Sequence, residues 1–467
     1  MVLVAVAMVA IVGMAALSID LITLYLAKQE AQRAAEGAAL AAAEIIAVSG
    51  ITGDPANLTL NWSGICGGSS SAATLAAQAV AEQNAVSGLA AGSVTVTYSG
   101  GASGGSLTSD PNCSNLKSTA FGLNPLVTVR LTRPNLPSFF SRIWGNPGLT
   151  VSATATAEAF NPSNSGNEGN QISGNLIPVQ PRCVKPWIVP NLDPGNGTCT
   201  GNACPKFVGL GDGSIQNPGI SLNGTSSTGV VGEKFWLIPD CQNNPTKCMM
   251  IDTPQANYPS GSFVNQAPPN LFYVPNQAGL TPDAVPSCSN GDPYIQDIGG
   301  CDQAANYQCG MKDKNVADLT IGPNADTTEG VACLIHQAYP ITSASGATGQ
   351  DYLNATTFAA PSAYPFQILA GSANPIVSTG LAAGTPITIS SSIVSLPIYD
   401  DAEGVIFNTS QQTPVTFVGF LQVFINAVDS NGDILVTVLN VAGCSNNATA
   451  TPIPGNSPLP VRLITAP

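Results

Sequence analysis

The apolar positions of this chain are concentrated at its start. Residues 1–19 hold no charged side chain, and Asp20 is the only charge before Lys28. About 20 consecutive apolar residues span a bilayer. This stretch therefore leaves water only into a membrane or into a bundle of like helices. It lacks the basic n-region of a cleaved signal peptide, and its apolar run is too long for an h-region. Residues 21–48 (LITLYLAKQEAQRAAEGAALAAAEIIAV) contain no proline and one glycine, and are dominated by strong helix formers. Ser49-Gly50 and then Gly53-Asp54-Pro55 supply the breakers. One helix over residues 1–48 is expected, roughly 70 Å long. Its second half carries small residues, including Ala34, Gly37, Ala38 and Ala42, at a spacing that lets helix backbones approach closely. Glu30, Arg33 and Glu36 stand at i,i+3 spacing and are suited to weak pairing. Two readings stay open: a single anchor continuing into a helix packed on its own domain, and a segment that polymerises many copies.

After the helix the period changes. Residues 71–87 (SAATLAAQAVAEQNAVS) read as a second, Ala-rich helix, and residues 93–98, 126–132 and 149–160 alternate as strands. Residues 161–175 (NPSNSGNEGNQISGN) are a polar linker by composition. Residues 176–340, rich in Pro, Gly, Asn and Cys, read as short strands and long loops. Strand character returns at 387–398, 415–427 and 434–441. The division is 1–50 (hydrophobic helix), 51–160 (small α+β unit), 161–175 (linker), 176–340 (Cys-rich β/loop region) and 341–467 (C-terminal β domain). The two last parts are candidates for one interleaved β domain. The fold class is α+β.

The run ALSIDLITLYLAKQEAQRAAEGAALAAAE (residues 16–44) resembles the N-terminal signature of the TadE/TadG-like proteins of tight-adherence, Flp-type pilus systems. The shared features are Ala-Leu-x-x-Asp ending at Asp20, the aromatic Tyr25, the basic Lys28, and Gln32-x-Ala-Ala-Glu-x-Ala-Ala-Leu-Ala-Ala-Ala43. Residues 94–100, 138–160 and 418–444 are similar to large members of that group. The resemblance implies a pilin-like protein of the cell envelope, inserted in the inner membrane before assembly, working with pilus-assembly machinery and exposed at the cell surface. Type IV pilins carry glutamate at the fifth mature position. Here that position is Ala5, so if Met1 is the processed terminus, register falls to packing and to Asp20. The assembly residues expected are Met1, Ala10, Gly13, Asp20, Ala34 and Ala38. In a bundle Asp20 would face a donor on a neighbour, with Ser18, Thr23 and the Met1 amino group as candidates.

Charge and cysteine narrow the class. Only 9% of residues are charged, against about 25% in ordinary globular chains. A net charge of −14 excludes the basic footprint of a nucleic-acid binder. Twelve cysteines (Cys66, Cys113, Cys183, Cys199, Cys204, Cys241, Cys248, Cys288, Cys301, Cys309, Cys333, Cys444) point to an oxidising compartment and to disulfides. No CxxC knuckle occurs and His336 is the only histidine, which argues against zinc and c-type haem. Connectivity is not readable from spacing. Cys66–Cys113 and the close pairs 199/204, 241/248 and 301/309 are the expected bridges.

Catalytic constellations are absent from the sequence: it contains no HExxH, no Walker loop, no helix-opening GxGxxG and no Asp-x-Ser-x-Ser adhesion site. Gly101-Ala-Ser103-Gly-Gly105 has the letters of GxSxG but lies in a glycine-rich loop. His336, between apolar residues, reads as a packed histidine, and Asp400-Asp401-Ala-Glu403 as a solvated turn. Asp429, Asn431 and Asp433 alternate in a loop between two strands and present oxygens suited to Ca²⁺. Asn-Gly in that place is first of all a hairpin signal. Calcium and glycans, on eight Asn-x-Ser/Thr sites, are the only non-protein groups expected; the sites are Asn57, Asn61, Asn112, Asn196, Asn223, Asn354, Asn408 and Asn447. The expectation is a filament subunit without enzymatic activity, a homo-oligomer through its N-terminal helix. The alternatives are a monomeric membrane-anchored minor pilin or adhesin, and, far behind, a tethered hydrolase.

Overall fold

The computed structural model describes residues 2–53, 63–66, 68–100, 108–110, 123, 125–136, 148–167, 176–195, 205–220, 229–239, 270–275, 285, 288, 291–302, 307–310, 315–317, 323–339, 349–354, 366–403, 413–430, 432–444 and 451–464. Helix α1 runs over Val2–Val48 without a break. The short turn α2 (Ser63–Cys66) and α3 (Ala72–Gln83) follow. Next come strands β1 (Ser93–Gly100), β2 (Thr108–Asp110), β3 (Pro125–Leu136) and β4 (Leu149–Ala159).

These strands form an antiparallel sheet in the order β18-β4-β3-β1-β2, where β18 is Val461–Ile464. The second half of α1 lies across it, against β4, β3 and α3. The fit is a matter of residue size. Ala31, Ala34, Ala35, Ala38, Ala39 and Ala42 are buried on the helix, and Val151, Ala153, Ala155 and Ala157 alternate on the buried face of β4. Alanine against alanine brings the helix axis close to the sheet. A Cβ at Gly37 would already meet Val80 Cγ1 of α3 at 3.4 Å. Ala34, Ala35, Ala38, Ala39 and Ala42 are wholly buried, so a larger side chain there must displace its neighbours. We expect Ala38→Leu to cost about 1–3 kcal/mol through overpacking, read as a lowered unfolding temperature of the detergent-solubilised full chain.

This corrects one sequence expectation. Ala34 and Ala38 do not serve contacts between copies; both are fully buried inside their own chain. The Glu30–Arg33–Glu36 ladder also gives way to other partners, one across the fold and one along the helix. Glu30 Oε2 accepts the Ser87 N–H at 2.6 Å, and Gln32 donates to Glu36 Oε1 at 2.9 Å. Lys28 donates to the Ser152 carbonyl on β4.

Helix α1 ends inside the protein. Gly50 takes φ +79°, which only glycine adopts without strain. The chain then enters a junction of buried amides. Asn440 Nδ2 donates to Thr52 Oγ1 at 2.8 Å and to the Ala47 carbonyl at 3.3 Å, and Asn164 Nδ2 donates to the Thr52 carbonyl at 3.0 Å. The unpaired carbonyls of the helix end thus find donors on the second part of the molecule.

That second part is a closed barrel in the order β13-β15-β16-β7-β8-β6. Its members are β6 (Trp187–Pro190), β7 (Lys234–Pro239), β8 (Asn270–Pro275), β13 (Ile393–Tyr399), β15 (Phe417–Val428) and β16 (Ile434–Gly443). Three adjacent strands, β13, β15 and β16, come from 341–467, and the other three, β7, β8 and β6, from 176–340. The β7–β8 and β6–β13 pairs are parallel and the rest antiparallel. β15 and β16 are buried along nearly their whole length. Their outer side is covered by residues 205–220, which press close enough that a Cβ on Gly443 would lie 2.2 Å from the Gly213 carbonyl oxygen. Small pairings complete the chain: β5 (Val179–Pro181) with β17 (Ile453–Gly455), β9 (Asn315–Ala317) with β14 (Thr413–Val415), and the ribbon β10 (Tyr352–Leu353), β11 (Ile368–Leu369), β12 (Pro386–Ile387).

Two elements depart from the sequence division. β18 leaves the C-terminal β region and closes the edge of the first sheet, where Arg462 Nε meets Glu158 Oε2 at 2.5 Å and its guanidinium lies 4.7 Å from the Phe160 ring centre. The Cys-rich region also holds two helices, α4 (Pro293–Gly299) and α5 (Pro323–Leu334), where only strands and loops were expected. α4 had a legible start: Asp292 caps it, accepting from the Tyr294 and Ile295 N–H groups, with Pro293 in the first turn.

Candidate functional site

The first half of α1 projects from the folded body. Val2 is 80% exposed and Leu3 84%, and the large apolar side chains at 4, 6, 8, 9, 11, 12, 14, 17, 21, 22, 25 and 26 are all exposed. One narrow stripe is covered. Ala16, Asp20, Ala27 and Ala31 are buried, with Thr23 and Leu24 partly so. The spacing, mostly four, is that of one helix face turned to the chain's own domain. Free helix on all sides thus extends to about residue 15, and on the remaining faces to Leu26. At 1.5 Å per residue these two lengths, roughly 22 and 38 Å, bracket a hydrocarbon core of about 30 Å. Ala10 is exposed, and a side chain built on Gly13 would meet nothing within 4 Å. Met1 lies outside the described residues, as does the side chain of Ala5.

Asp20 takes a different place from the one expected. It is 5% exposed and engaged within its own chain. The hydroxyls considered as its donors are turned back on their helix: Ser18 Oγ donates to the Met14 carbonyl at 2.9 Å, and Thr23 Oγ1 to the Asp20 and Ile19 carbonyls at 2.9 and 3.1 Å. The physical reason is the small-residue stripe, which lets the domain reach up the helix as far as Ala16.

Three bridges are resolved among the described cysteines: Cys183–Cys301, Cys288–Cys333 and Cys309–Cys444. Cys66 is also disulfide-bonded. The local 301/309 pair is therefore corrected. Cys301 follows α4, which is drawn to the start of the barrel by Lys185. Its buried ammonium donates to the Ile298 and Gly300 carbonyls at 2.7 Å each. Cys309 sits under the end of β16, beside Cys444. Cys113, Cys199, Cys204, Cys241 and Cys248 lie outside the described residues.

The remaining candidates separate in space. Gly101–Gly105 and Asn431 are outside the described residues. Asp429 and Asp433 form a hairpin turn in which the Asp433 N–H donates to Asp429 Oδ1 and the Asp429 N–H to the Asp433 carbonyl, both at 2.9 Å. Among the described residues no group of three or more His, Cys, Asp or Glu side chains converges. Asp401 pairs with Lys206 at 2.5 Å, and Asp400 Oδ1 accepts the Ala402 N–H. His336, at φ +60° after α5, lies 3.5 Å from Ser391 Oγ, beyond the usual nucleophile–base reach. Asp351 is held by the Gly371 N–H, Asn374 and Ser390 rather than by the ring. A cavity of about 700 Å³ lies beside the helix end, with Glu44, Lys185, Ser395, Gln422 and Ser457 in its wall. Burial raises the Glu44 carboxyl above its ordinary range.

Residues 1–44 match the family model described as putative Flp pilus-assembly TadE/G-like, and residues 56–157 the one described as putative Tad-like Flp pilus-assembly. No curated protein and no solved structure matches. The two matched segments are α1 and the α3–sheet unit it packs on. Over this N-terminal third the chain is similar to the TadE/G-like and Tad-like Flp pilus-assembly families.

Proposed function

We propose that the chain is a structural subunit of an extracellular pilus-like filament, without enzymatic activity. Its N-terminal helices bundle as the polymer core, and its disulfide-bonded barrel forms the outer surface. The observation that carries this reading is the division of α1. One half is built into the domain by an alanine face, while the other half offers apolar side chains on nearly every side. A surface of that size is stable only in lipid or against other copies. The same segment suits both stations, the inner membrane before assembly and the filament core after it. A monomeric envelope protein acting as a minor pilin or adhesin would use the first station alone. Electron microscopy of sheared cell-surface material, with antibody against the barrel, separates them: labelled fibres along their whole length are expected, and label confined to the cell envelope would sink the filament reading.

A further inference from the structure

A pair of carboxyl groups in the barrel wall is used neither by the helix nor by the disulfides. Asp193 follows β6 and is 3% exposed; Glu233 precedes β7 and is 1% exposed. The charge of Asp193 bears directly on Glu233. Asp193 is fixed by two donors, the Gly195 N–H to Oδ1 at 3.1 Å and Asn217 Nδ2 to Oδ2 at 3.0 Å. Glu233 has no such support, since no N–H or hydroxyl donor reaches either buried carboxyl oxygen. Its carboxyl lies flat on Gly195, where a Cβ would stand 2.5 Å from Cδ and Oε2 and 2.6 Å from Oε1. A buried carboxylate without donors is costly, and two side by side are more so.

We propose that Asp193 and Glu233 form a Ca²⁺ site, with Glu233 as a bidentate ligand across the Gly195 cradle and Asn217 as an amide ligand. The donor set is all oxygen and hard, as Ca²⁺ requires. Two bare oxygens on one carboxyl suit the short bite that Ca²⁺ accepts, whereas Mg²⁺ demands near-octahedral single contacts and retains its water. A half-turn of the Asn217 amide brings its oxygen where its nitrogen now donates.

Burial first, and then the Asp193 charge beside it, push the Glu233 carboxyl up to about 10.

The test uses the detergent-solubilised full chain after chelator treatment, titrated with CaCl₂, and it stands apart from any fibre assay. A dissociation constant of about 0.1–1 mM is expected, as in extracellular calcium modules. The unfolding temperature should rise by about 2–6 °C at about 10 mM Ca²⁺. Glu233→Gln keeps the size of the side chain and removes its charge, so it should fold and lose at least about tenfold in affinity. Gly195→Ala, which fills the cradle, should do the same. An Asp429→Asn/Asp433→Asn variant should keep the wild-type constant. No calcium-dependent shift in the wild type overturns the proposal, as does a shift that survives both Glu233→Gln and Gly195→Ala, or one lost only in the Asp429/Asp433 variant.

Discussion

Gly13→Leu should leave the membrane-inserted precursor and the fold of the barrel unchanged, yet reduce fibre yield by about tenfold or more, equivalent to at least about 1.4 kcal/mol lost in subunit association. Within one chain the position is vacant, since a side chain there meets nothing within 4 Å. Leucine is a better membrane residue than glycine, so a lone anchor gains from the change. Only a close-packed neighbour loses, because small residues at helix interfaces are what let apolar helices approach. Ala10→Arg or Gly13→Arg should be harsher and abolish assembly. A charge at the centre of an apolar helix costs about 2.5–3.5 kcal/mol on insertion alone, and more in a dry bundle. The arginine variants test the apolar environment; the leucine variant tests whether that environment is another copy. Normal fibres from Gly13→Leu, counted by electron microscopy at equal membrane levels, would remove the segment from the polymer core.

The sequence carried the first 160 residues well because their elements are local and strongly patterned. Helix α1, α3 and strands β1, β3 and β4 fall within a few residues of the expected bounds. The strands β13, β15 and β16 do too, although the 387–398 run breaks at 388–392 into β12 and β13. What the sequence withheld is partnership across distance. The alanine face of α1 is as suitable for a neighbouring helix as for a sheet, and composition does not choose. The choice lies in β4, whose Ala153, Ala155 and Ala157 become a matching floor only once the strand order is known. Asp20 was misplaced for the same reason. Its spacing of four from Ala16 marks a covered stripe, but the cover comes from the rest of the chain. Asp193 and Glu233 belong to no motif and are joined by the parallel and antiparallel closure of the barrel, so neither drew notice in the sequence. Lys185 likewise reads as one more surface lysine until α4 closes over it.

Removing the Cys309–Cys444 bridge as a Cys309→Ala/Cys444→Ala pair should cost about 5 kcal/mol of barrel stability, the largest loss expected among the three described bridges. The bridge ties residues 135 apart. In the chain-entropy account such a cross-link removes about 5 kcal/mol of freedom from the unfolded state, and one closing 45 residues, like Cys288–Cys333, about 4. Alanine is the right replacement, since both sulfurs are in fully buried residues packed with Phe417, Phe420 and Tyr307, where a serine hydroxyl would add a desolvation cost of its own. Residues 307–310 reach the barrel through the Gly310 N–H bond to the Phe417 carbonyl, the Tyr307–Phe417 ring contact and this sulfur pair, whereas Cys288, just before α4, is bridged to Cys333 in α5, and those two helices already pack together. Denaturant unfolding of the solubilised full chain, followed by the fluorescence of buried Trp187, should therefore rank the variants, with the 309/444 pair less stable than the 288/333 pair by about 1 kcal/mol. Equal midpoints and slopes for both variants and the wild type would show that packing, not cross-linking, holds the barrel.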